Sequence, residues 1–548
     1  MRAQITVFRN GHLFDGHRHR SGSGVVVSAD RILAVGPDEE LAGYAASAEV
    51  VDLSGGLLLP GFQDAHVHPV QGGLERIRCD LSEMSTSEEY LVAVRGYVGA
   101  NPDRFWVCGG GWSMSTFGPT GQVAADLDRV VSDRPVFLPN RDHHGAWVNT
   151  KAMQLAGIDR HTPDPRDGRI ERDTEGTPTG TLHEGAMTLV GRLLPTTSDE
   201  EYYRAFLAGQ DYLHSLGVTA WQDAILGSYA GLDDASSTYR RAAATGDLTA
   251  RVRGALWWDR EQGLEQVESL LERRRTMARG RLCAGAVKIM QDGVMENYTA
   301  AMTAPYLDDR GRRTGNSGLS FVDPTLLRAA VTRLDAEGFQ VHVHAIGDRA
   351  VREALDAFEA ARTANGANDL RHHIAHLQCV HPDDRARFAA LGVTANVQPL
   401  WAYLDDQMVE LTLPFLTREA ASWQYPFADL AKAGGRLAAG SDWPVSTPDP
   451  LQGIHVAVNR RAYGAAGRAG SEAFLPDQAL TVEQAFTAYT VGSAFVNHLD
   501  DTGTLAPGKL ADLVVLDRDP MAADPAAIGA ASVVATYVDG VPVFTAWT

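Results

Sequence analysis

Cysteine and lysine are used sparingly in this sequence. Its 548 residues include four cysteines, at positions 79, 108, 283 and 379, and no two of them form a C-x-x-C pair. This scattered spacing argues against a disulfide framework and against a zinc site built from thiolates. Only four of the 49 basic residues are lysines, at positions 151, 288, 432 and 509. A lysine at a strand end is therefore a conspicuous choice in this chain.

Long apolar runs are also missing. No segment approaches the roughly 20 apolar residues that a membrane-spanning helix needs. The opening MRAQITVFRNGHLFDG has neither the basic stretch nor the apolar stretch of a secretory signal, which predicts a cytoplasmic protein. The net charge of −20 disfavours nucleic acids and anionic membranes as partners, because nucleic-acid binders usually carry a basic face.

Both ends of the chain consist of short strand-like runs separated by turns. Residues 1–60 contain QITVFRNGHLFDG, GSGVVVSADRILAVG and AEVVDLSGGLLLPG, and residues 500–548 contain GTLAPGKLADLVVLD and ASVVATYVDGVPVFT. β-Branched runs bounded by Gly, Asn and Asp are typical of antiparallel strands. Neither end is long enough to form a good sandwich by itself. We therefore predict that the two termini combine into one small β-sandwich domain.

The middle of the chain alternates apolar strand-like runs with amphipathic helical stretches. Eight strand candidates lie between residues 56 and 444: GLLLPGFQDAHVH, GVTAWQDA, ARVRGALWW, AGAVKIMQDG, FQVHVHAIGD, RHHIAHLQ, GVTANVQP and GRLAAGSDWP. Eight strands separated by helices predict an α/β fold, a (β/α)8 TIM-like barrel over residues 61–499. The alternative, an open doubly wound sheet, would need a glycine-rich phosphate turn after a strand, and we find none.

One connection is far longer than an ordinary loop between a strand and a helix. Roughly 150 residues separate the first barrel strand, which ends before Pro69, from the second, which begins after Leu216. This length predicts a large insertion after strand 1, at about residues 70–215, that sits over the mouth of the barrel.

The carboxyl ends of the predicted barrel strands carry metal-ligating side chains. Barrel enzymes place their chemistry at these ends, and His66, His68, His344 and His376 lie at three of them. Residues i and i+2 of a strand face the same side, so His66 and His68 point inward together. Imidazoles combined with a carboxylate are the ligands expected for a zinc-like divalent ion that keeps a position open for water. We therefore predict a divalent metal site, with Zn²⁺ as the expected ion.

Asp442 and Lys288 complete the predicted ligand set. A bound ion would lower the pKa of its water to about 7, and Asp442 would take the proton from that water and pass it to the leaving group. A protonated Lys288 would be repelled by a dication. Carbamylated on its amine, Lys288 would become a carboxylate that can bridge two ions. The hypothesis is a site for one or two ions.

Each of these residues also has a purely structural interpretation. A single H-x-H pair is usually an ordinary polar pair at a strand edge, and a lone histidine is usually satisfied by hydrogen bonds. GSDWP has the composition of a turn, and a lysine stem can pack on its neighbours. The metal hypothesis therefore depends on the conjunction of these residues at the strand ends of one barrel. His342 shares a face with His344 and is interpreted as packing or hydrogen bonding within the barrel.

These motifs resemble the amidohydrolase superfamily of metal-dependent hydrolases, and within it amidohydrolase family 3, the branch that includes N-substituted formamide deformylase-like proteins. The resemblance covers nearly the whole chain. It is carried by LLLPGFQDAHVHP, VKIMQDG, TAAMTAPY, VHVHAIGDRAV, HHIAHLQ and GSDWPV, by DHHGAWVN and PTGTLHEGA in the insertion, and by GTLAPGKLADLVVLD near the end. Two departures, Ala375 in place of a frequent Glu and the stretch DGVMENYTA, leave the identity of the substrate open.

The resemblance implies hydrolysis of a carbon–nitrogen bond in a small molecule, such as an amide, an N-formyl group or a cyclic amide. His144, in the DHHGAWVN signature, is then expected to orient the substrate or to stabilise the oxyanion, as a second catalytic residue beside Asp442. The alternative is a deaminase or isomerase acting on a heterocycle at the same metal site. Asp348, where deaminase-like members carry Glu, disfavours deamination. A scaffold without activity is disfavoured because no expected ligand position is missing.

Substrate contacts are the least determined part of the predicted site. Small-molecule pockets are mostly apolar with a few polar anchors, so aromatic and polar residues near the strand ends and in the insertion are the candidates. The predicted substrate-binding residues are Trp112, Asn149, Asp292, Gln398 and Trp443. A homodimer is the expected assembly.

Overall fold

The computed structural model describes residues 5–46, 48–82, 84, 86–114, 116–117, 122–229, 232–464 and 471–546. Its first part contains seven strands and one helix, in short segments joined by turns: β1 (Ile5–Arg9), β2 (His12–Phe14), β3 (His19–Ser21), β4 (Ser23–Ser28), β5 (Arg31–Pro37), α1 (Asp38–Ala45), β6 (Glu49–Asp52) and β7 (Leu57–Pro60). β1, β4, β5 and β6 form one sheet, in the order β5-β4-β1-β6. In β4, Val25 and Val27 face one side and Val26 faces α1, as the two-residue period of a strand requires.

The first barrel strand follows after a single glycine. It is β8 (Phe62–Val67), and α2 (Pro69–Arg76) begins two residues after it ends. The LLLPGFQDAHVH run therefore divides at Gly61 into β7, in a terminal sheet, and β8, in the barrel.

An insertion with its own sheet follows α2, as predicted. Its sheet has the order β13-β14-β12-β11-β10-β9 and buries apolar side chains on both faces. Its elements are β9 (Cys79–Asp80), α3 (Ser87–Ala100), β10 (Val107–Gly110), α4 (Ala124–Asp128), β11 (Val136–Pro139), β12 (Gly145–Val148), α5 (Thr150–Ala156), β13 (Gly168–Arg172), β14 (Pro178–Glu184) and α6 (Thr188–Gly191). The next helix, α7 (Asp199–Ser215), packs against α2 and against the second barrel strand.

The remaining barrel strands alternate with helices. They are β15 (Val218–Leu226), α8 (Ser236–Thr245), β16 (Arg251–Trp257), α9 (Val267–Thr276), β17 (Leu282–Met290), α10 (Pro324–Ala336), β18 (Gln340–Ala345), α11 (Asp348–Asn365), β19 (His373–His376), α12 (Pro382–Leu391), β20 (Thr394–Val397), α13 (Arg418–Ser422), α14 (Phe427–Lys432) and β21 (Leu437–Ala439). The helices α15 (Pro450–Asn459), α16 (Val482–Thr487) and α17 (Ser493–Val496) follow.

Eight parallel strands form the barrel, in the order β8-β15-β16-β17-β18-β19-β20-β21. The first and last strands approach each other closely where β21 ends. The Asp442 N–H donates to the His66 carbonyl over 2.8 Å. A Cβ at Gly440 would lie 2.6 Å from the His66 nitrogen, so glycine is required at this contact. This confirms the predicted TIM-like barrel and brings the ends of strands 1 and 8 together.

The chain returns to the first domain through β22 (Leu513–Leu516), β23 (Val533–Val538) and β24 (Val541–Thr545). These strands join β7, β2 and β3 in the sheet β24-β23-β22-β7-β2-β3. Phe8, Val25 and Leu58 pack with Val515 and Tyr537 in one core between the two sheets. Both termini therefore form one β-sandwich, as predicted. Among the described residues, no helix has the length and apolar character to cross a bilayer.

Candidate metal centre

Three of the predicted histidine ligands surround the Asp442 carboxylate. His66 Nε2 lies 3.1 Å from Asp442 Oδ1, and His68 Nε2 lies 3.0 Å from the same oxygen. His376 Nδ1 lies 3.9 Å from Asp442 Oδ2. The barrel thus brings together side chains from strands 1, 6 and 8, as the positions of these residues at strand ends predicted.

The backbone around this group is held in uncommon conformations. His376 has φ 79° and Asp442 has φ 56°, in the left-handed region that non-glycine residues rarely adopt. The Asp64 side chain links β8 to the loop that follows β21, because it accepts N–H groups from both His66 (2.9 Å) and Ser441 (3.1 Å). Strained residues of this kind persist where surrounding contacts over-determine them, and they cluster at functional sites.

One buried ring nitrogen in this group has no hydrogen bond. His376 Nδ1 is inaccessible to solvent and has no hydrogen-bond partner within the described part of the chain. Its ring is fixed by stacking on Trp401, with centroids 5.3 Å apart and planes 3° apart. Ligand atoms of His66, His376 and Asp442 lie within 4.8 Å of one another. Two imidazoles and a carboxylate with an unsatisfied nitrogen fit a divalent ion, which would supply the missing partner.

The other two predicted ligands line the same space. Lys288 Nζ lies 3.4 Å from His66 Nε2, and the His344 ring lies 4.4 Å from the His376 ring. A cavity of about 60 Å³ is lined by all six predicted ligands: His66, His68, Lys288, His344, His376 and Asp442. We call it the metal cavity.

Burial and mutual repulsion keep these groups in the protonation states that bind metal. Burial, with the nearby Lys288 amine, lowers the pKa of His66 to about 3. Burial lowers the pKa of Lys288 to about 7, although the Asp442 carboxylate opposes this shift. Burial by itself would raise the pKa of Asp442, but His66 and His68 hold it well below its usual value. Neutral imidazoles and an ionised carboxylate are the ligand forms.

His342 holds the His66 ring in position by a hydrogen bond inside the barrel. Its Nε2 lies 2.9 Å from His66 Nδ1, and its own Nδ1 lies 2.7 Å from Gln222 Oε1. A hydrogen bond at Nδ1 leaves His66 Nε2 free as a ligand atom. The structure thus bears out the interpretation of His342 as a hydrogen-bonding residue inside the barrel. Sequence reasoning missed Gln222 and Asp64, although Asp64, His66 and His68 share the i, i+2 spacing of one strand face.

The insertion contributes a buried ion pair to the same cavity. His144 lines the metal cavity, and its Nδ1 lies 2.9 Å from Glu184 Oε2. The Thr299 hydroxyl donates to Glu184 Oε1 over 2.8 Å. Burial would lower the pKa of His144, but Glu184 raises it to about 9. Burial would raise the pKa of Glu184, but His144 lowers it. His144 and Glu184 meet because β12 and β14 are neighbours in the insertion sheet.

Of the five residues predicted to bind substrate, four are buried in other roles. Trp112 packs among insertion aromatics and donates its indole N–H to the Leu138 carbonyl. The Asn149 side chain accepts the Ala152 N–H and caps α5. Both side chains are engaged in the internal packing of the insertion, and neither lines the metal cavity or the larger cavity beside it.

Gln398 and Asp292 also face inward rather than into either cavity. Gln398 Oε1 accepts the His376 N–H over 2.8 Å, so it holds a candidate ligand. Asp292 accepts N–H groups from Ala301, Ile346 and Gly347 at 2.8 to 3.0 Å. In the structure, both side chains position loops that carry candidate ligands.

Replacing Asp292 with alanine should cost at least about 3 kcal/mol of unfolding free energy, because three buried N–H groups would lose their acceptor. Urea unfolding measures this loss. The control is Asp323→Ala, which removes an exposed N-cap of α10 and should cost about 1 kcal/mol. An Asp292→Ala variant of unchanged stability with a raised KM would instead support the original assignment to substrate binding.

A larger cavity of about 400 Å³ adjoins the metal cavity. Asp142, Val294, Ile346, Trp401 and Val445 line both. Aromatic rings form much of its wall, at Tyr212, Trp401, Tyr403, Tyr425, Trp443 and Tyr463. Of the predicted substrate-binding residues, Trp443 lines the larger cavity, and the other four line neither of these two cavities. The sequence signal for Trp401 and Tyr403 was the aromatic pair in QPLWAYLDD, directly after a barrel strand.

A barrel whose strand ends gather histidines and a carboxylate around one cavity is the architecture of metal-dependent hydrolases. The chain belongs to the amidohydrolase family, whose model matches residues 49–544. It is 32% identical over 522 residues to Protein LONG AFTER FAR-RED 3 of Arabidopsis thaliana, covering 93% of this chain and 86% of that one.

One further sequence relative and one solved structure have names that describe hydrolytic enzymes. The N-substituted formamide deformylase of Arthrobacter pascens is 29% identical over 545 residues, covering 96% of this chain and 95% of the relative. An uncharacterized metal-dependent hydrolase from Pyrococcus furiosus superposes with a TM-score of 0.70 at 27% identity, covering 94% of this chain and all of the other. Family and neighbours together support a hydrolytic enzyme that uses a divalent metal.

Proposed function

We propose that this protein hydrolyses a carbon–nitrogen bond in a small molecule: an amide, an N-formyl group or a cyclic amide. The observation that carries the proposal is the buried His376 Nδ1, which lacks a hydrogen bond and lies beside Asp442 and His66 in a cavity that adjoins a larger one. The similarity to a formamide deformylase over nearly the whole chain supports the choice of bond.

His66, His68, Lys288, His344, His376 and Asp442 would hold the metal, which we propose to be one or two Zn²⁺ ions. Such an ion polarises a substrate carbonyl and lowers the pKa of water to about 7 when bound. The protein holds its ligands in place beforehand: His342 fixes the tautomer of His66, and Gln398 anchors the backbone of His376.

Asp442 is proposed to move the proton. Its carboxylate is ionised and within 3.1 Å of two imidazoles, so it can accept a proton from the attacking water and return it to the leaving nitrogen. His144 is proposed to act from the other side of the cavity, donating to the substrate carbonyl or to the leaving group. Glu184 keeps His144 protonated and oriented for this donation.

Replacing Glu184 with glutamine should lower kcat/KM by about 10²-fold at neutral pH and move the alkaline limb of the pH profile to lower pH. The pKa of His144 is raised from 6.5 to about 9, so its imidazolium persists up to that pH and is lost above it. Without the Glu184 carboxylate, only Asp142 and Asp442 would oppose the effect of burial, so the pKa of His144 should fall. Profiles of kcat/KM against pH, in metal-loaded protein, measure the shift.

The matched control is Glu171→Gln. Glu171 pairs with His183 over 3.2 Å on the β13–β14 hairpin that also carries Glu184, and neither Glu171 nor His183 lines the metal cavity. This variant should retain the wild-type profile. Equal profiles for the Glu184 and Glu171 variants would remove Glu184 and His144 from the proposed mechanism.

Lys288 is proposed to be carbamylated in the metal-loaded enzyme. The neutral amine is the form that takes up CO₂, and burial lowers the pKa of Lys288 to about 7. Crystals of zinc-loaded protein grown with bicarbonate should show a carboxylate beyond Nζ, between two ions. Lys509, on a turn outside the barrel, should show none in the same map. An unmodified Lys288 beside a single well-occupied ion would contradict the two-ion arrangement.

The reaction class is tested by assaying zinc-loaded protein on N-formyl, N-acyl and cyclic amides, with detection of the released amine or carboxylate. Turnover of at least one class is expected. The larger cavity, with its aromatic wall, has room for the part of the substrate that does not react. If all three classes remained intact while heterocyclic amines released ammonia, deamination would replace this proposal.

A further inference from the structure

A second group of metal-ligating side chains lies outside the barrel, on the β-sandwich. It consists of His12 on β2, His19 on β3 and Asp519, three residues after β22 ends. One ligand atom from each residue lies within 4.8 Å of the others. We call these three residues the sandwich triad.

The sheet places the triad on one face. β2 and β3 form an antiparallel hairpin in which Phe14 pairs with His19. His12 lies two residues before Phe14, so His12 and His19 are diagonal neighbours on the same side of the hairpin. Their rings lie 5.8 Å apart with planes 18° apart. β2 pairs with β7, and β7 pairs with β22, which delivers Asp519 to this face from the other end of the chain.

The distances within the triad suit a small divalent ion. Two atoms each about 2.0–2.1 Å from a tetrahedral zinc lie about 3.3 Å apart. His12 Nδ1 lies 3.5 Å from Asp519 Oδ2, and His19 Nε2 lies 2.7 Å from the same oxygen. The first distance is already close to that value. The second would widen by about half an ångström as a hydrogen bond is replaced by two metal bonds.

One ligand atom of the triad has no hydrogen-bond partner. His12 Nδ1 is inaccessible to solvent and makes no hydrogen bond within the described part of the chain, although 31% of the His12 side chain is exposed. A buried polar atom without a partner is uncommon and points to an ion or water that completes the site. The exposed remainder of the ring leaves a path by which an ion can reach it.

The carboxylate is oriented for this role. The Asp519 side chain is only 7% exposed, and its Oδ1 accepts the Met521 N–H over 3.0 Å, which turns Oδ2 toward the imidazoles. Such a second hydrogen bond is the usual support of a ligating carboxylate. Nearby arginines are occupied elsewhere: Arg20 pairs with Asp15 at 2.9 Å and Arg518 pairs with Asp517 at 2.7 Å.

We propose that the sandwich triad is a second metal site, which binds one divalent transition-metal ion such as Zn²⁺ through His12 Nδ1, His19 Nε2 and Asp519 Oδ2, with water completing the coordination. The ion would link the N-terminal hairpin to the C-terminal segment. Because all three ligands come together only in the folded sandwich, binding would stabilise the folded state. The site does not depend on the proposed hydrolytic reaction.

Zinc content and thermal stability test the proposal. Metal is first removed from full-length wild-type protein and from the His12→Ala/His19→Ala double variant with a chelator. Both proteins are then dialysed against the same micromolar concentration of free Zn²⁺, and the number of zinc ions bound per chain is measured. We expect the double variant to bind one zinc ion per chain fewer than the wild type. Zinc should also raise the Tm of the double variant by less than it raises the Tm of the wild type. Amide turnover should equal that of the wild type, because the barrel site is intact.

His17→Ala is the matched control. It removes an exposed imidazole from the same hairpin that is not part of the triad, and should keep the full zinc content. Asp519→Asn is a milder second variant, used if the double variant fails to fold, and should also lose one equivalent. A zinc content equal to wild type in the folded triad variants would overturn the proposal and leave His19–Asp519 as a hydrogen-bonded pair. Zinc loss in His17→Ala as well would likewise overturn it.

Discussion

Asp442→Asn should lower kcat/KM by about 10⁴-fold while the fold is retained. The amide has the shape of the carboxylate but cannot take up the proton of the attacking water. Asp442 is also a candidate ligand, 3.0 Å from His68 Nε2 and 3.1 Å from His66 Nε2, so part of the loss would come from weaker metal binding. Steady-state kinetics at saturating zinc, with metal content measured on the same samples, separate the two contributions.

Asp348→Asn is the matched control for this variant. Asp348 is also a fully buried carboxylate close to a barrel strand end, but it accepts hydrogen bonds from Thr303 and lines neither cavity. Its substitution should lower stability and leave turnover of the folded protein near the wild-type value. If Asp442→Asn retained near-wild-type activity, Asp442 would have no part in proton transfer.

We expect the removal of bound metal to lower the catalytic activity strongly. Chelation should lower turnover by more than about 10³-fold, because water without an ion has a pKa of about 15.7 rather than about 7. Zinc should restore the activity. Tm should fall on chelation, since an ion present at 1,000 times its Kd stabilises the folded state by about 4 kcal/mol, and His376 Nδ1 would again lack a partner.

The sandwich triad would lose its ion under the same conditions, so the experiment is repeated on the His12→Ala/His19→Ala variant. This variant should lose and regain activity as the wild type does. Full activity in protein without detectable metal would contradict the proposed chemistry.

The grouping of the candidate ligands was predictable because these residues lie at the ends of barrel strands. A parallel barrel brings all its carboxyl ends to one rim, so the positions of His66, His344 and His376 at such ends were enough to group them. The same reasoning could have found Asp64, two residues before His66 on the same strand face. It could not have found Gln222, because a glutamine inside a strand has many uses and only the contact with His342 reveals this one.

The sequence does not determine which side chains face the cavities, for a physical reason. Trp112 and Asn149 lie in an insertion whose internal packing and capping consume their side chains. The direction of a side chain in a loop depends on which distant segments pack against it. The residues that line the larger cavity, such as Tyr403 and Tyr425, lie in different loops. No regular spacing in the sequence marks them as neighbours.

The sequence by itself determined the order of strands and helices, the joining of both termini in one domain, and the strand ends that carry metal-ligating groups. These features follow from local periodicity and from the rules of barrel closure. Only the tertiary structure decided which atoms meet: Asp442 with both His66 and His68, Glu184 with His144, and Asp519 with His12 and His19. Each of these contacts joins residues that are distant in sequence, and their geometry is set by the packing of whole strands against one another.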